Sequence, residues 1–249
     1  MMKQGTFTIL ENARIARDTF RLVLEGDCSA VRGSGQFVQV AVPGLYLRRP
    51  FSVSDRSGDR LVLVYKRVGQ GTAVMAAMAP GEKLDLVSGL GRGFDVAAAG
   101  KRSLLVGGSV GTAPLLLLAR ELQAAGKAFD VALGFGDAGL AFYVKEFKEM
   151  GAQVKVATQD GSLGREGLVT DAIRALEGSY DWFYCCGSKV MMRVVCEALP
   201  FGGECSMEER MGCGTGICYG CSVPTTAGMR RVCADGPVFR KEEIVWERI

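Results

Sequence analysis

Four cysteines near the C-terminal end constrain this chain more than any other feature. Cys213, Cys218 and Cys221 follow the spacing C-x4-C-x2-C, and Cys233 returns after eleven further residues. That is the plant-type spacing for a [2Fe-2S] cluster. Three thiolates on one short loop converge on the cluster, and the fourth comes back from a following hairpin. Gly212, Gly214, Gly216 and Gly220 surround these cysteines. Glycine lets the backbone wrap tightly and turn its amides toward sulfur. A structural zinc site is the alternative, but such sites commonly use two C-x2-C knuckles, and only one is present. Cys205 reads as a bystander. Cys28, Cys185 and Cys196 lie in apolar context and read as small buried hydrophobes.

The chain has 249 residues, nine cysteines and no histidine. Without imidazole there is no Ser-His-Asp triad, no Cys-His dyad, no histidine base and no His-ligated zinc, copper or haem. Chemistry is left to backbone, carboxylates, Lys, Arg, thiolates or a cofactor. Thirty basic residues against 27 acidic ones give a charge of +3, too mild a balance for nucleic acid. The opening MMKQGTFTIL lacks the apolar core of a signal peptide. Ser103 to Ala119, the longest uncharged stretch, is short for a membrane span and carries Gly107-Gly108, Gly111 and Pro114. A cytoplasmic protein is expected, with no membrane partner, where cysteines serve a metal or cofactor rather than disulfides.

The pattern along the chain predicts an α+β multidomain protein. Residues 1–98 read as an antiparallel β-barrel, with period-two strands at Thr6–Leu10, Phe20–Glu25, Gln36–Val42, Phe51–Ser54, Leu61–Lys66 and Lys83–Val87 and a helical turn at Thr72–Met78. Residues 99–200 alternate apolar strands with helices, which implies a doubly wound parallel sheet. Its strands are Arg102–Val106, Val131–Phe135, Val154–Ala157 and Trp182–Cys186. Its helices are Ala113–Ala125, Tyr143–Met150, Val169–Leu176 and Lys189–Leu199. From Pro200 the period disappears, and 201–249 reads as a small cysteine-rich segment that folds around something.

Gly107-Gly108-Ser109-Val110-Gly111-Thr112-Ala113-Pro114 follows a strand and opens a helix. Glycines there let amide N–H groups approach a pyrophosphate at the positive end of the helix. The G-x-G-x-x-G fingerprint is missing, and a tight turn without ligand is the alternative. Asp137, after the second sheet strand, can accept a hydrogen bond from a ribose hydroxyl and repel a 2′-phosphate, which predicts NAD over NADP. An exposed loop aspartate without ligand is the alternative there. Arg49-Pro50-Phe51-Ser52 says little by itself, since an arginine beside a strand clamps a phosphate or stands in solvent.

The order of these motifs is similar to that of the ferredoxin–NADP reductase superfamily across essentially the full chain. Gly35-Gln36-Phe37-Val38, Arg49-Pro50-Phe51-Ser52 and Gly69-x-Gly71-Thr72 resemble its flavin barrel. Gly107-Gly108-x-x-Gly111-Thr112-Ala113-Pro114 and Cys186-Gly187 resemble its pyridine-nucleotide domain. The run from Glu208 to Cys221 and Asp160-Gly161-Ser162-x-Gly164-x-x-Gly167-x-Val169-Thr170 resemble one family, the electron-transfer subunits of class B dihydroorotate dehydrogenase. Ser88-Gly89-Leu90-Gly91 stands where the superfamily often has Gly-Pro-Leu-Gly, and Ser188 where proline is common.

The resemblance implies FAD, one [2Fe-2S] cluster on Cys213, Cys218, Cys221 and Cys233, and NAD(H) as substrate. It also implies an FMN-containing partner that oxidises dihydroorotate in pyrimidine synthesis, in a heterotetramer of two plus two. By position, Arg49 pairs with the flavin diphosphate, and Ser52, beside Pro50 and Phe51, meets the isoalloxazine. Lys66, Arg67, Val68, Gly71 and Thr72 complete the FAD cradle. Gly107, Gly108, Gly111, Thr112, Ala113, Cys186 and Gly187 flank NAD. A flavin belongs between a two-electron hydride carrier and a one-electron cluster. Toward orotate, electrons would run from FMN through the cluster and FAD to NAD⁺, and no catalytic acid or base is expected on this chain. The runner-up is a related FAD/[2Fe-2S] subunit of an NADH-dependent ferredoxin–NADP reductase or a sulfur-reducing complex. A zinc-stabilised adaptor without flavin is the third reading.

Overall fold

The alternation over the first part of the chain produces six strands that close on themselves. In the computed structural model, which describes residues 1–249, these are β1 (Lys3–Ala16), β2 (Thr19–Glu25), β3 (Phe37–Ala41), β4 (Arg49–Ser57), β5 (Arg60–Lys66) and β6 (Lys83–Leu90). They pair antiparallel in the order β1-β2-β5-β4-β3-β6 and form a closed barrel. Its interior holds Ile9, Leu22, Leu24, Val38, Val40, Leu61 and Leu63. Helix α1 (Gln70–Ala77) follows β5, with Met75 in the barrel core. Along β3, Val38 and Val40 point inward while Phe37 points out into a second core. The strand period of two puts Gln39 on that same outer face.

Beyond Gly100 the strands become continuously apolar because both of their faces are covered. The elements are β7 (Arg102–Gly108), α2 (Leu115–Ala124), β8 (Ala128–Phe135), α3 (Val144–Glu149), β9 (Val154–Thr158), β10 (Arg165–Glu166), α4 (Val169–Arg174), β11 (Trp182–Cys186) and α5 (Lys189–Ala198). Then come β12 (Gly203–Ser206), the hairpin β13 (Ser222–Thr225) and β14 (Gly228–Arg231), and β15 (Val238–Arg240). One sheet runs in the order β10-β9-β8-β7-β11-β12-β15, parallel except for β15 at its edge. Helices α2 and α3 pack Leu115, Leu118 and Phe147 on one face, and α4 and α5 pack Ala172, Met192 and Val195 on the other. The doubly wound reading holds. No helix is long and apolar enough to cross a membrane.

Two expectations change. The helix expected from Ala113 starts as a 3-10 turn at Ser109–Thr112, and α2 begins only at Leu115. Pro114 stands between them and has no N–H to continue the ladder. The segment after Pro200 also does more than wrap a cofactor. Its strands β12 and β15 extend the sheet, and Cys221, Val223, Val232, Cys233 and Ile244 join the core beneath. Strands of four and three residues are too short to display a period.

Barrel and sheet are tied by packing and by buried polar bonds. Leu117 of α2 enters the barrel core. The Ser54 hydroxyl donates to the Ala113 carbonyl at 2.9 Å, and the Glu121 carboxylate accepts from the Ser34 hydroxyl at 2.6 Å. At the end of this junction the Glu204 carboxylate accepts the Asp95 N–H at 2.9 Å. Burial pushes the Glu204 pKa from the ordinary 4.5 up to about 7.

Between those two values the native chain holds a proton on Glu204 that the unfolded chain has released. The contribution of Glu204 to stability therefore falls as pH rises from 4.5 toward about 7 and is flat above it. Glu204→Gln keeps the acceptor and removes the charge. By denaturant unfolding the variant should gain on the wild type as pH rises, by up to about 3 kcal/mol near pH ~8. A constant difference between the two proteins across that range would refute this account.

Candidate functional site

Where the outer face of the barrel meets the sheet lies a cavity of about 310 Å³. Pro50, Phe51 and Ser52 of β4 form one wall, and Tyr65 and Lys66 of β5 continue it. The Phe51 and Tyr65 rings lie 5.9 Å apart, and Tyr65 stacks on Phe20 at 5.6 Å. Phe51 and Tyr65 are tilted at 59° to each other, so this wall offers aromatic surface against which a conjugated ring can pack. At its end Val68 and Thr72 line the cavity just where α1 begins. A Cβ on Gly71 would stand 3.2 Å from the Arg49 Nε. Arginine and a glycine-opened helix N-terminus thus share one spot, which fits a diphosphate. The Thr72 hydroxyl accepts the Val68 N–H at 2.9 Å and holds this turn. Arg67 departs from the expected set. Its guanidinium pairs with Asp18 at 2.7 Å, away from the Gly71 turn that Arg49 meets, although none of Arg49, Arg67 and Gly71 lines the cavity itself.

A second cleft, of about 290 Å³, opens at the C-terminal ends of β7 and β8 and the starts of α4 and α5. This is where open parallel sheets bind ligands. Gly108 and Ser109 line it, together with Gly134, Gln159, Thr170 and Met191. A Cβ on Gly111 would lie 2.4 Å from the Cys186 carbonyl oxygen, so this glycine permits the turn to close against β11. A Cβ on Gly107 would meet the Thr112 hydroxyl at 2.9 Å. That hydroxyl is buried and has no partner. Gly187 lies against Met191 and Gly108, while Cys186 is buried in the core and burial pushes its thiol pKa up. Ser188 accepts the Met191 N–H at 3.2 Å and caps α5, a role that proline could not fill with a side chain.

Of the expected nucleotide residues only Gly108 lines the cleft itself; Gly107, Gly111, Thr112, Cys186 and Gly187 lie behind or beside it, and Ala113 and Asp137 sit elsewhere. Ala113 lines the flavin-shaped cavity rather than the cleft. The Asp137 carboxylate accepts the Gly139 N–H at 2.9 Å, pairs with Arg17 of the barrel, and is not among the cleft-lining residues. The turn that separates the two cavities is shared: Ser109 faces one and Val110 the other.

The cysteine loop continues from the far wall of the first cavity, which Met207, Glu208, Glu209 and Met211 supply. Burial raises the Glu208 pKa, and Glu209 pairs with Lys189 at the start of α5. Glu208 was legible in the sequence only as part of the run from Glu208 to Cys221. Beyond it, the Cys213 Sγ accepts N–H groups from Thr215 at 3.4 Å and Cys218 at 3.5 Å. Burial opposes ionisation, but these donors outweigh it and bring the Cys213 pKa down to about 5. The Cys221 Sγ accepts the Cys233 N–H at 3.4 Å. Burial first, then the neighbouring Cys221, pushes the Cys233 thiol up to about 12.

The cysteines thus fall in two pairs, each joined by a backbone N–H donated to sulfur: Cys218 to Cys213 and Cys233 to Cys221. Gly212 and Gly220 flank the Cys218 Sγ, and Cβ atoms on them would touch it at 3.5 and 3.6 Å. No three such side chains converge as ligands of a single ion. Two pairs of thiols on one loop and its following hairpin fit a binuclear cluster, with one pair for each iron. Arg231 braces the loop by donating to the Gly216 carbonyl at 2.8 Å and lying 4.9 Å over the Tyr219 ring.

A family model described as the iron-sulfur cluster binding domain of dihydroorotate dehydrogenase B matches residues 208–245. A protein of Geobacillus sp. (strain WCH70), named dihydroorotate dehydrogenase B (NAD(+)), electron transfer subunit, is 39% identical over 257 residues, covering 98% of this chain and 100% of its own. A relative of the same name from Bacillus caldolyticus is 40% identical with the same coverage. Among solved structures, an NADH-dependent reduced ferredoxin-NADP oxidoreductase, described for flavin-based electron bifurcation, is similar at a TM-score of 0.89 and 30% identity, covering 98% of this chain and 91% of that one. Phthalate dioxygenase reductase shares the fold at a TM-score of 0.62 and 23% identity, over 78% of this chain and 63% of that one.

The geometry of the shared turn makes one prediction. Gly111→Ala drives a methyl group into the Cys186 carbonyl and should weaken dinucleotide binding by about tenfold or more, near 1.4 kcal/mol. Titration of NADH against the purified variant checks it, with flavin content unchanged. Wild-type affinity would show that the turn is not a nucleotide contact.

Proposed function

The chain belongs to the dihydroorotate dehydrogenase B (NAD(+)) electron transfer subunits, and from this premise we propose how its residues divide the work of passing electrons between a catalytic partner and NAD. It is an oxidoreductase subunit that uses FAD and a [2Fe-2S] cluster, and its partner is the catalytic subunit of dihydroorotate dehydrogenase. One observation carries the reading: the flavin-shaped cavity shares its Ser109–Thr112 turn with the nucleotide cleft and its Met207–Met211 wall with the cysteine loop. Three sites in series is the layout that electron transfer requires.

When bound, FAD and the cluster supply the exchange between a hydride and single electrons. The protein's own residues bind, orient and exclude water. Arg49 and the N-terminus of α1 at Gly71 and Thr72 hold the diphosphate. Pro50, Phe51, Ser52 and Tyr65 enclose the ring, and Lys66 and Val68 extend that wall. Arg67, paired with Asp18, is left to shape the turn. Gly107, Gly108, Gly111 and Gly187 let the dinucleotide approach the sheet, with Thr112 buried behind them. Cys186 backs this site from the core. Asp137, held by Arg17, meets a ribose hydroxyl only from the rim of the cleft. Cys213, Cys218, Cys221 and Cys233 bind the cluster.

The reading assigns no acid–base work on dihydroorotate to this chain, which has no histidine. That chemistry belongs to the partner, which we take to carry FMN in an assembly of two plus two serving pyrimidine synthesis. The spans 1–98, 99–200 and 201–249 then divide the chain by cofactor, although the last lends strands to the sheet of the second. A cytoplasmic setting is part of the same proposal, supported by nine cysteines that are all free. The likeness to the bifurcating NADH-dependent oxidoreductase favours a related ferredoxin–NADP reductase subunit as the second reading. Co-purification of the native partner decides between them: a flavoprotein that forms orotate supports the first, and one that does not overturns it.

Cys218→Ser should remove the cluster and electron transfer to the partner while NADH-to-dye activity remains. Parallel kinetics of the two reactions, with iron analysis, would expose equal loss of both, which would assign the cluster to folding instead. Arg49→Ala should weaken FAD binding by about 2 kcal/mol, or roughly 30-fold, by loss of a charge-assisted contact. Full FAD occupancy in the variant at dilute concentration would contradict that role.

A further inference from the structure

Gln39 lies in the middle of β3 and is 1% exposed, yet neither its amide nitrogen nor its amide oxygen has a hydrogen-bond partner. A buried amide left unpaired costs on the order of 1–3 kcal/mol, and such groups mark a partner not yet accounted for. Barrel strands bury apolar side chains, and the neighbours on the inner face, Val38 and Val40, follow that rule. Gln39 instead shares the outer face with Phe37, which walls the flavin-shaped cavity.

What the amide faces is the cysteine loop. A Cβ built on Gly214 would lie 2.3 Å from the Gln39 Nε2 and 2.8 Å from its Cδ. The amide therefore lies flat against the residue that follows Cys213, in space that only glycine leaves open. Gly214 has a φ of +70°, which also favours glycine. Arg48 donates to the Gln39 carbonyl at 3.4 Å and to the Asp85 carbonyl at 3.1 Å, so the backbone carrying Gln39 is pinned across two strands. The barrel thus presents one unpaired polar group to the loop, from the face that also bounds the flavin-shaped cavity.

We propose that the Gln39 side-chain N–H donates to a sulfur on the Cys213 side of the [2Fe-2S] cluster, so that a barrel residue sets the cluster's reduction potential as well as seating its loop. This rests on the cluster reading above. Reduction places added negative charge on the sulfurs, and a donor aimed at one of them stabilises the reduced form more than the oxidised form. No other barrel side chain is left buried and unpaired in this way.

An EPR-monitored redox titration of the holo complex tests this, comparing wild type with Gln39→Met and Gln39→Glu. Methionine keeps the length and apolar bulk without a donor, and it should lower the cluster potential. The expected shift is about tenfold in the one-electron equilibrium, which is 59 mV. Glutamate adds negative charge and should lower it at least as far. FAD content should stay at the wild-type level in both, since Gln39 does not line the flavin-shaped cavity. A wild-type potential in Gln39→Met would overturn the proposal and leave Gln39 as packing, its amide met by water.

Should either variant lose its cluster, the wild type still decides. Pulsed EPR on the reduced complex labelled with ¹⁵N in glutamine side chains should show a nitrogen coupling to the cluster. Its absence would overturn the proposal. A wild-type complex that contained zinc and gave no [2Fe-2S] signal would overturn the cluster reading itself, a separate result.

Discussion

The structure depends on the contact between the outer face of the barrel and the sheet. A barrel strand has one face for its own interior, so whatever lies on its other face must be covered or wetted. Here β3 and β4 turn Phe37 and its cross-strand partner Ser52 outward, while Phe51 packs against the barrel core, and the sheet and the C-terminal loop cover the outer face. The cover is incomplete, and the gap left is the flavin-shaped cavity. Both neighbouring sites are positioned from it. The Ser109–Thr112 turn reaches it from β7, and the Met207–Met211 stretch reaches it from β12.

Electrostatics in this junction run against the surface pattern. Glu204 and Glu208 are carboxyls whose burial raises their pKa, while Cys213 is a thiol whose pKa is lowered by backbone donors. Glu204 is thereby pushed toward its neutral form and the Cys213 sulfur toward its charged form. Burial disfavours charge in both cases, and only Cys213 has amide N–H groups turned toward it in enough number to reverse the sign. That reversal comes from the glycines, since the left-handed turns at Gly214 and Gly216 are what aim those amides.

Much of this was legible in the sequence. The barrel strands showed a period of two and the sheet strands continuous apolarity, because each pattern reflects how many faces are buried. The cysteine spacing and the Gly107–Pro114 run announced their chemistry for the same reason: a short loop can satisfy its ligand only with particular residues at particular steps. Strands β12 and β15 were not legible, being too short for a period. The placements of Arg67, Ala113 and Asp137 were not legible either. Arg67 and Asp137 sit beside residues that do line a cavity, and Ala113 lines the other cavity from the one expected, because a local motif does not say which way a side chain turns.

By itself, then, the sequence determined the kinds of group that this protein can use. It has thiolates in one loop, glycines before a helix, an arginine beside a strand, and no imidazole. Those are properties of residue type and near-neighbour spacing, which the chain carries wherever it folds. Only the tertiary structure decided how the groups meet. It put the Gly71 opening beside Arg49, made one turn serve two cavities, and laid Gln39 against Gly214 across 175 residues of chain. Such contacts come from burying the outer face of the barrel, a condition set by the whole fold and written in no local stretch of it.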